Sequence, residues 1–378
     1  LGAEVIRVER PEGNDDRYLM PVIEGGEGAM FLQMNRNKRS LALDLTRPEY
    51  RPVLERMVAR SDVVIANLPP KALQKVGLDH ETLKSIKPEI ILTTITAYGE
   101  HGGFGNRIGF DGTGQSLSGA VYLSGTPETP YRSATSYVDY STGLSAAYGT
   151  LAALIARMRT GQGRHVEASL LGTALTMTNP MLIEEAAGAR SRVAVGNRSP
   201  ISGPSDLFTT QDGWIFVQVV GSAVFERWLT TIGAEDLRGA PRFATDQDRG
   251  ENGAELSKRM QNWCASRTTD ACLAELDAGR VPACRMLSPG DALRAEENET
   301  FFNWTRFEGL SEAVPIVAPP ARISGIDSRS YTAPPVLGAD TREILAEAGV
   351  DPAEIDTLIG TPAIVGAEKN QVKETGNA

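Results

Sequence analysis

In residues 131–160 a polar approach containing a lone carboxylate, Asp139, gives way to Leu144, Ala147, Tyr148, Leu151, Leu154, Ile155 and Met158 at helical spacing. This pattern predicts a helix with one apolar face buried against a sheet, and it puts Asp139 at or just before the helix N-terminus. There the unpaired backbone N–H groups and the helix dipole favour an anion, which holds the carboxylate ionised at neutral pH. The commoner role of an Asp in this position is to cap the helix. The alternative is a nucleophile toward an acyl group.

Upstream, Val5, Ile6 and Val8 read as a buried strand. Residues 34–45 run from basic to apolar and end in a second strand. Pro48 starts a helix that lasts to about Ala59, residues 62–67 form a strand, short helical pieces lie between Leu73 and Leu83, and residues 88–96 form a further strand. This alternation predicts a parallel sheet with helices on its faces. The loop over residues 97–115 is rich in glycine. It reads either as one wall of a ligand crevice at the carboxyl ends of the strands or as a surface loop of several turns. Its Gly112-Thr-Gly-Gln115 spacing is not the dinucleotide fingerprint.

After the Asp139 helix come a strand at 166–170, an apolar stretch to about Ala187, and a polar linker over 188–204. Residues 207–220 read as a hairpin turning at 211–213, followed by helical periods at 224–232, 255–265 and 269–276. Residues 314–323 are rich in Pro and Val, residues 340–348 form a helix ended by Gly349, and the tail after Ala363 is expected to be disordered.

At 378 residues the chain is long for one core, so two domains are expected. A net charge of −10 argues against nucleic acid or an anionic membrane as partner, because both need a basic face. The three cysteines, Cys264, Cys272 and Cys284, are too few and too scattered for a disulfide framework or a metal site, which fits a reducing, cytoplasmic location. No apolar run approaches the length that spans a bilayer, and no signal-peptide pattern is present. With only His80, His101 and His165, a histidine triad has little to draw on. His80 and His165 are expected at the surface.

The motifs in their order resemble the class III CoA-transferase family, which includes formyl-CoA and carnitine CoA-transferases and the related α-methylacyl-CoA racemases. The resemblance rests on residues 1–9 (Leu-Gly-Ala-Glu-Val-Ile-Arg-Val-Glu), on 35–40, 62–67 and 109–111, and on Asp139 with Thr142 and Gly143. It extends through residues 160–163, Asp212 with Gly213, and 334–338. It implies that Asp139 is the catalytic aspartate, attacking a thioester to give a mixed anhydride and then an aspartyl-CoA thioester, with no metal. It implies CoA-binding positions at Arg10, Leu43, Thr46, Asn67, Leu68 and Lys75, with Ile108, Phe110 and Asp111 near the pantetheine. Arg10 and Lys75 suit the phosphates as cations, and Asn67 with the backbone suits adenine.

The same resemblance implies a Rossmann-like large domain and a smaller α+β domain, in two chains interlocked as rings to form a homodimer. Residues 1–187 and 317–378 would make the large domain and 205–290 the small one, with 188–204 and 291–316 as linkers. The substrates implied are an acyl-CoA and a carboxylic acid. Members of the family begin with a strand and helix ahead of the Leu1 motif, so an extension of roughly 30 residues is expected before Leu1. Where the racemase branch carries a histidine this chain has Phe110, which disfavours the alternative of an acyl-CoA racemase or isomerase. A non-catalytic CoA-binding protein is the alternative from another class.

Overall fold

The structure is a computed structural model that describes residues 2–24, 26–326 and 331–359, together with the backbone of 364 and 365. In chain order it contains β1 (Val5–Glu9), α1 (Ala29–Met34), β2 (Lys38–Leu43), α2 (Arg51–Arg60), β3 (Val63–Ala66), α3 (Pro70–Val76), α4 (His80–Ile86) and β4 (Ile91–Thr96). Next come α5 (Asp111–Leu117), α6 (Ala120–Leu123), α7 (Tyr137–Thr160), β5 (His165–Ser169) and α8 (Leu170–Ala186). A further stretch holds β6 (Ser205–Thr209), β7 (Trp214–Gln218), α9 (Ser222–Ile232), α10 (Asp246–Glu251), α11 (Gly253–Cys264), α12 (Thr269–Ala278) and β8 (Ala283–Arg285). The rest is α13 (Pro289–Ala292), α14 (Glu296–Glu299), β9 (Phe302–Thr305), β10 (Val314–Val317), α15 (Thr341–Glu347), α16 (Pro352–Ile359) and β11 (Ile364–Val365).

The fold is mixed α/β with parallel sheets, as the alternation predicts. β1 pairs in parallel with β2, and β3, β4 and β5 form a second parallel sheet. Helix α2 and the turn before it serve both: Tyr50, just ahead of the helix, and Val53 join the core over β2, while Leu54 and Val58 join the core over β3 and β4. The expected hairpin is present as β6 and β7, extended by β8 into an antiparallel sheet. Its core is Phe208, Ile215, Val217, Trp228, Leu229, Met260 and Leu276, with Trp228 donating from Nε1 to the Met260 sulfur at 3.2 Å. No helix among the described residues is long and apolar enough to cross a membrane.

Four expectations need correction. Helix α7 exists, but the predicted apolar face is not its buried face. Leu144, Tyr148, Leu151, Ile155 and Met158 are exposed, Tyr148 by 76% and Met158 by 85%, whereas Val138, Thr142, Ala146, Thr150 and Ala153 are buried. Small side chains let the helix approach the sheet closely. Thr150 shares a 2.6 Å hydrogen bond with Thr93 of β4, and a Cβ added at Gly149 would meet Val166 Cγ1 at 2.7 Å. Second, the glycine-rich loop stops at Phe110, because Asp111 opens α5. Third, the stretch between the first strand and Met34, rich in Gly and acidic residues and expected as a loop, contains α1, which buries Phe31 and Leu32. Fourth, His80 is half-buried and stacks on His165, with ring centroids 5.6 Å apart. Burial and the neighbouring His165 lower the His80 pKa. Of the expected disordered tail, Ile364 and Val365 pair antiparallel with β2, and the remainder lies outside the described residues.

A charged cluster pins the start of the chain. Glu9 and Arg17 are each about 1% exposed, and Arg17 holds both Glu9 oxygens, at 2.7 and 3.2 Å. The guanidinium lies 4.0 Å over the Phe31 ring and also donates to Glu27 and to the Pro335 carbonyl. Ser40 donates to Glu9 and accepts from the Gly338 N–H, while Asp340 accepts from the Ser40 N–H, so the segment leading to α15 is tied to β2. Burial opposes the Glu9 charge, but Arg17 and Arg7 overcome it and hold the carboxyl below its ordinary range.

Removing one partner of a buried pair strands the other. Arg17→Ala is therefore expected to destabilise the fold by about 3–5 kcal/mol. Urea unfolding checks this, and a midpoint equal to wild type would show the pair to be dispensable. Because the Glu9 pKa is depressed in the fold, its contribution is present above its unfolded pKa of about 4.3 and is lost as pH falls through the folded value.

Candidate active site

Helix α7 runs back over β4 and β5 from the carboxyl ends of the strands. At the far end of α7, Arg157 reaches Asp62, just before β3. At the near end, Val138 is buried with Ala97, Leu170 and Ala174, and the Leu171 N–H donates to the Ala97 carbonyl at 3.0 Å. Asp139 therefore stands where the sheet's strands end, the usual position of a ligand crevice in a parallel sheet.

Asp139 lies in the first turn of α7 and does not cap it. The cap comes from Asp111 at the start of α5. Asp111 Oδ1 accepts the backbone N–H of Val138 at 2.8 Å and of Asp139 itself at 3.2 Å. Its Oδ2 accepts a short bond from Gln115 Nε2, and Gln115 Oε1 accepts the Ser133 N–H at 2.8 Å. Asp111 and Gln115 are 5% and 1% exposed. The Asp139 carboxylate accepts no hydrogen bond from the described residues and is open to solvent.

This arrangement reverses the expected electrostatics. Partial burial and then the charge of Asp111 push the Asp139 carboxyl above its ordinary range. The N–H groups that would have stabilised its charge are already engaged by another carboxylate. Burial and Asp111 likewise push the Tyr137 hydroxyl up.

The residues expected to hold CoA fall largely at strand ends. Arg10 follows β1, Thr46 lies just past β2, and Asn67 and Leu68 follow β3. Arg10 and Thr46 are exposed and bonded locally, Arg10 to Asp15 at 3.0 Å and Thr46 Oγ1 to Asp44 at 2.7 Å. Asn67 is exposed, Leu68 is half-buried, and Lys75 is exposed in the last turn of α3. Leu43 is buried as a whole in the core over β2, 1% exposed. Ile108 and Phe110 are 79% and 76% exposed on the segment leading into Asp111, whose own carboxylate points inward to the first turn of α7. The Lys71 N–H donates to Asn106 Oδ1 at 3.2 Å, which joins α3 to the glycine-rich loop. Gln115 was not anticipated. Its only signal in the sequence is the i, i+4 spacing from Asp111 on a helix whose two glycines hide it. A separate cleft of about 560 Å³, lined by Leu273, Val281, Cys284 and Glu297 among others, contains no residue of α5 or α7.

A family model described as CoA-transferase family III matches residues 1–341. The chain is 32% identical over 296 residues to succinyl-CoA–D-citramalate CoA-transferase of Chloroflexus aurantiacus, covering 78% of this chain and 74% of that protein. It is 29% identical over 352 residues to the mouse succinyl-CoA:glutarate CoA-transferase, covering 92% and 80%. The crystal structure of a CAIB/BAIF family protein from Brucella suis superposes with a TM-score of 0.78 at 32% identity, covering 92% of each chain.

Close packing of α5 on α7 and α8 sets the Asp111–Asp139 geometry. A Cβ at Gly114 would lie 2.9 Å from Val138 Cγ1 and 3.2 Å from the Leu170 carbonyl oxygen. Gly114→Ala is expected to cost about 1–3 kcal/mol through overpacking. It should also lower turnover by displacing the first turn of α7. Thermal melting and steady-state kinetics on one preparation test both, and unchanged values would show that α5 can shift freely.

Proposed function

Because the chain belongs to CoA-transferase family III, and is an enzyme of that family, we propose that it moves CoA from an acyl-CoA to a carboxylic acid with Asp139 as the nucleophile. The observation that carries this reading is an exposed carboxylate, without hydrogen-bond partners among the described residues, at the carboxyl edge of a parallel sheet. Asp139 adds to the thioester carbonyl and the C–S bond breaks, giving a mixed anhydride and the CoA thiolate. The thiolate then attacks the Asp139 carbonyl, releasing the donor acid and leaving an aspartyl-CoA thioester. The acceptor carboxylate attacks that thioester to form a second anhydride. Attack by the thiolate on its acyl carbon releases the new acyl-CoA and frees Asp139. No net proton is consumed.

Arg10 and Lys75 meet the CoA phosphates in this reading, Thr46, Asn67 and Leu68 hold the nucleotide with the buried Leu43 supporting that strand end, and Ile108 and Phe110 line the pantetheine path. The Arg10 pairs with Asp15 and Glu12 are exposed and weak, so a phosphate can displace them. The names of the relatives point to succinyl-CoA as donor and to dicarboxylic acids as acceptors. Residues 1–187 with 317–378 form the CoA-binding domain and 205–290 the smaller one, in a cytoplasmic enzyme.

The outward stripe of α7 supports a homodimer. Leu144, Tyr148, Leu151, Ile155 and Met158 line one exposed face, and a contiguous apolar patch of this kind marks an interaction surface. A second copy of the chain, interlocked with the first, covers it.

Asp139→Ala should abolish transfer from succinyl-CoA while lowering stability by less than about 2 kcal/mol. Wild-type protein incubated with succinyl-CoA should carry an adduct on Asp139 that hydroxylamine converts to a hydroxamate. Turnover by the variant near wild type would overturn the reading.

For the assembly, light scattering should report a dimer throughout a dilution series. Leu151→Arg combined with Ile155→Arg should yield monomer or aggregate. A wild-type monomer would remove the proposed interface.

A further inference from the structure

We propose that Asp111 is a positioning residue for Asp139: its inward carboxylate grips the first turn of α7 by two backbone N–H groups, one of them Asp139's own, and so fixes where the reacting carboxylate stands. This rests on Asp139 being the nucleophile. Ser136, at the cap position of α7, makes no side-chain cap bond. The role passes instead to a residue of α5 that is 28 positions earlier than Asp139 in sequence. Local capping would have stabilised the helix equally well. A cap from α5 does something further, because it ties Asp139 to the segment carrying Ile108 and Phe110. Gln115 extends the same lock to Ser133, so the approach to α7, its first turn and the start of α5 are held by one carboxylate.

Asp111 also imposes a charge. Around the first turn of α7, Val138 packs with Ala97, Leu170 of α8 and Ala174, and Tyr98 and Tyr137 border that cluster. Partial burial and the charge of Asp111 are what raise the Asp139 proton affinity. When Asp139 becomes an anhydride or a thioester it loses its charge, and the repulsion ends. Asp111 thus favours the acylated forms over the resting carboxylate in addition to aiming it.

The test compares the full chain with Asp111→Asn, Gln115→Met and Asp139→Ala, using the donor–acceptor pair of highest wild-type turnover. An amide still accepts the two N–H bonds but removes the charge. Ionisation of Asp139 then becomes easier, and the acid limb of the kcat/KM profile moves to lower pH. The amide NH2 cannot accept the Gln115 Nε2–H that Asp111 Oδ2 accepts, so the hold on the first turn of α7 loosens and kcat in Asp111→Asn should fall on the order of 10–100-fold, with KM for the acyl-CoA little changed. Gln115→Met keeps the charge, so its acid limb should stay in place while kcat falls. An unmoved acid limb with wild-type kcat in Asp111→Asn would overturn the proposal. Should that variant fail to fold, wild-type kcat in Gln115→Met would overturn it instead. Turnover by Asp139→Ala would count against the nucleophile itself, a separate failure.

Discussion

Helix α7 lies close on β4 and β5 because only small side chains stand between them. Thr142, Ala146, Thr150 and Ala153 fill that interface, and Gly149 allows Val166 to approach. Close-packed interiors tolerate little change in such a layer. The depth of the helix over the sheet fixes its first turn, and the first turn carries Asp139. The same choice leaves the large apolar residues of α7 on the outside, with no partner among the described residues. One packing decision therefore places the nucleophile proposed here and also creates a surface that a second chain could cover.

Two carboxylates meet at the start of α7, and their roles are divided by burial. Asp111 is turned inward and fully engaged by N–H donors, which compensates the cost of holding its charge away from water. Asp139 is left without donors among the described residues and keeps access to solvent. A pair of acids whose surroundings differ in this way can be assigned different tasks from geometry alone. The structure supports this division more directly than it supports any single ligand contact.

Much of the fold was legible in the sequence. Strand and helix alternation located β1 to β5, and the hairpin at 207–220 followed from apolar runs flanking an Asp-Gly turn. The Asp139 helix was found at the right place with the wrong face inward. Counting large apolar residues overlooks that a helix seated on a sheet selects Ala, Thr and Gly for contact. Helix α5 was missed because Gly112 and Gly114 lower local propensity, and tertiary packing overrode it. The position of Asp139 at the start of that helix was legible in the helical pattern, whereas its reading as the nucleophile came from resemblance to a family. Beyond the i, i+4 spacing of Asp111 and Gln115, their network was hidden, since its bonds to Val138, Asp139 and Ser133 join residues far apart in sequence. Glu9 and Arg17 were equally hidden, because periodicity gives no sign that a charged pair will be buried.

The chemistry asks an unusual thing of a carboxylate. A free aspartate is a weak nucleophile toward a thioester, and its acylated forms are high in energy compared with the ion in water. Raising its proton affinity makes the ion less comfortable and its oxygen more basic, and both changes favour attack. A buried neighbouring anion does this without a metal or a base, and it acts on the resting state rather than on the neutral intermediates. In the proposed cycle each half of the transfer passes through the same uncharged aspartyl species, so the repulsion would be relieved equally for donor and acceptor. A site built this way speeds exchange in both directions and leaves the identity of the acids to the surfaces that surround it.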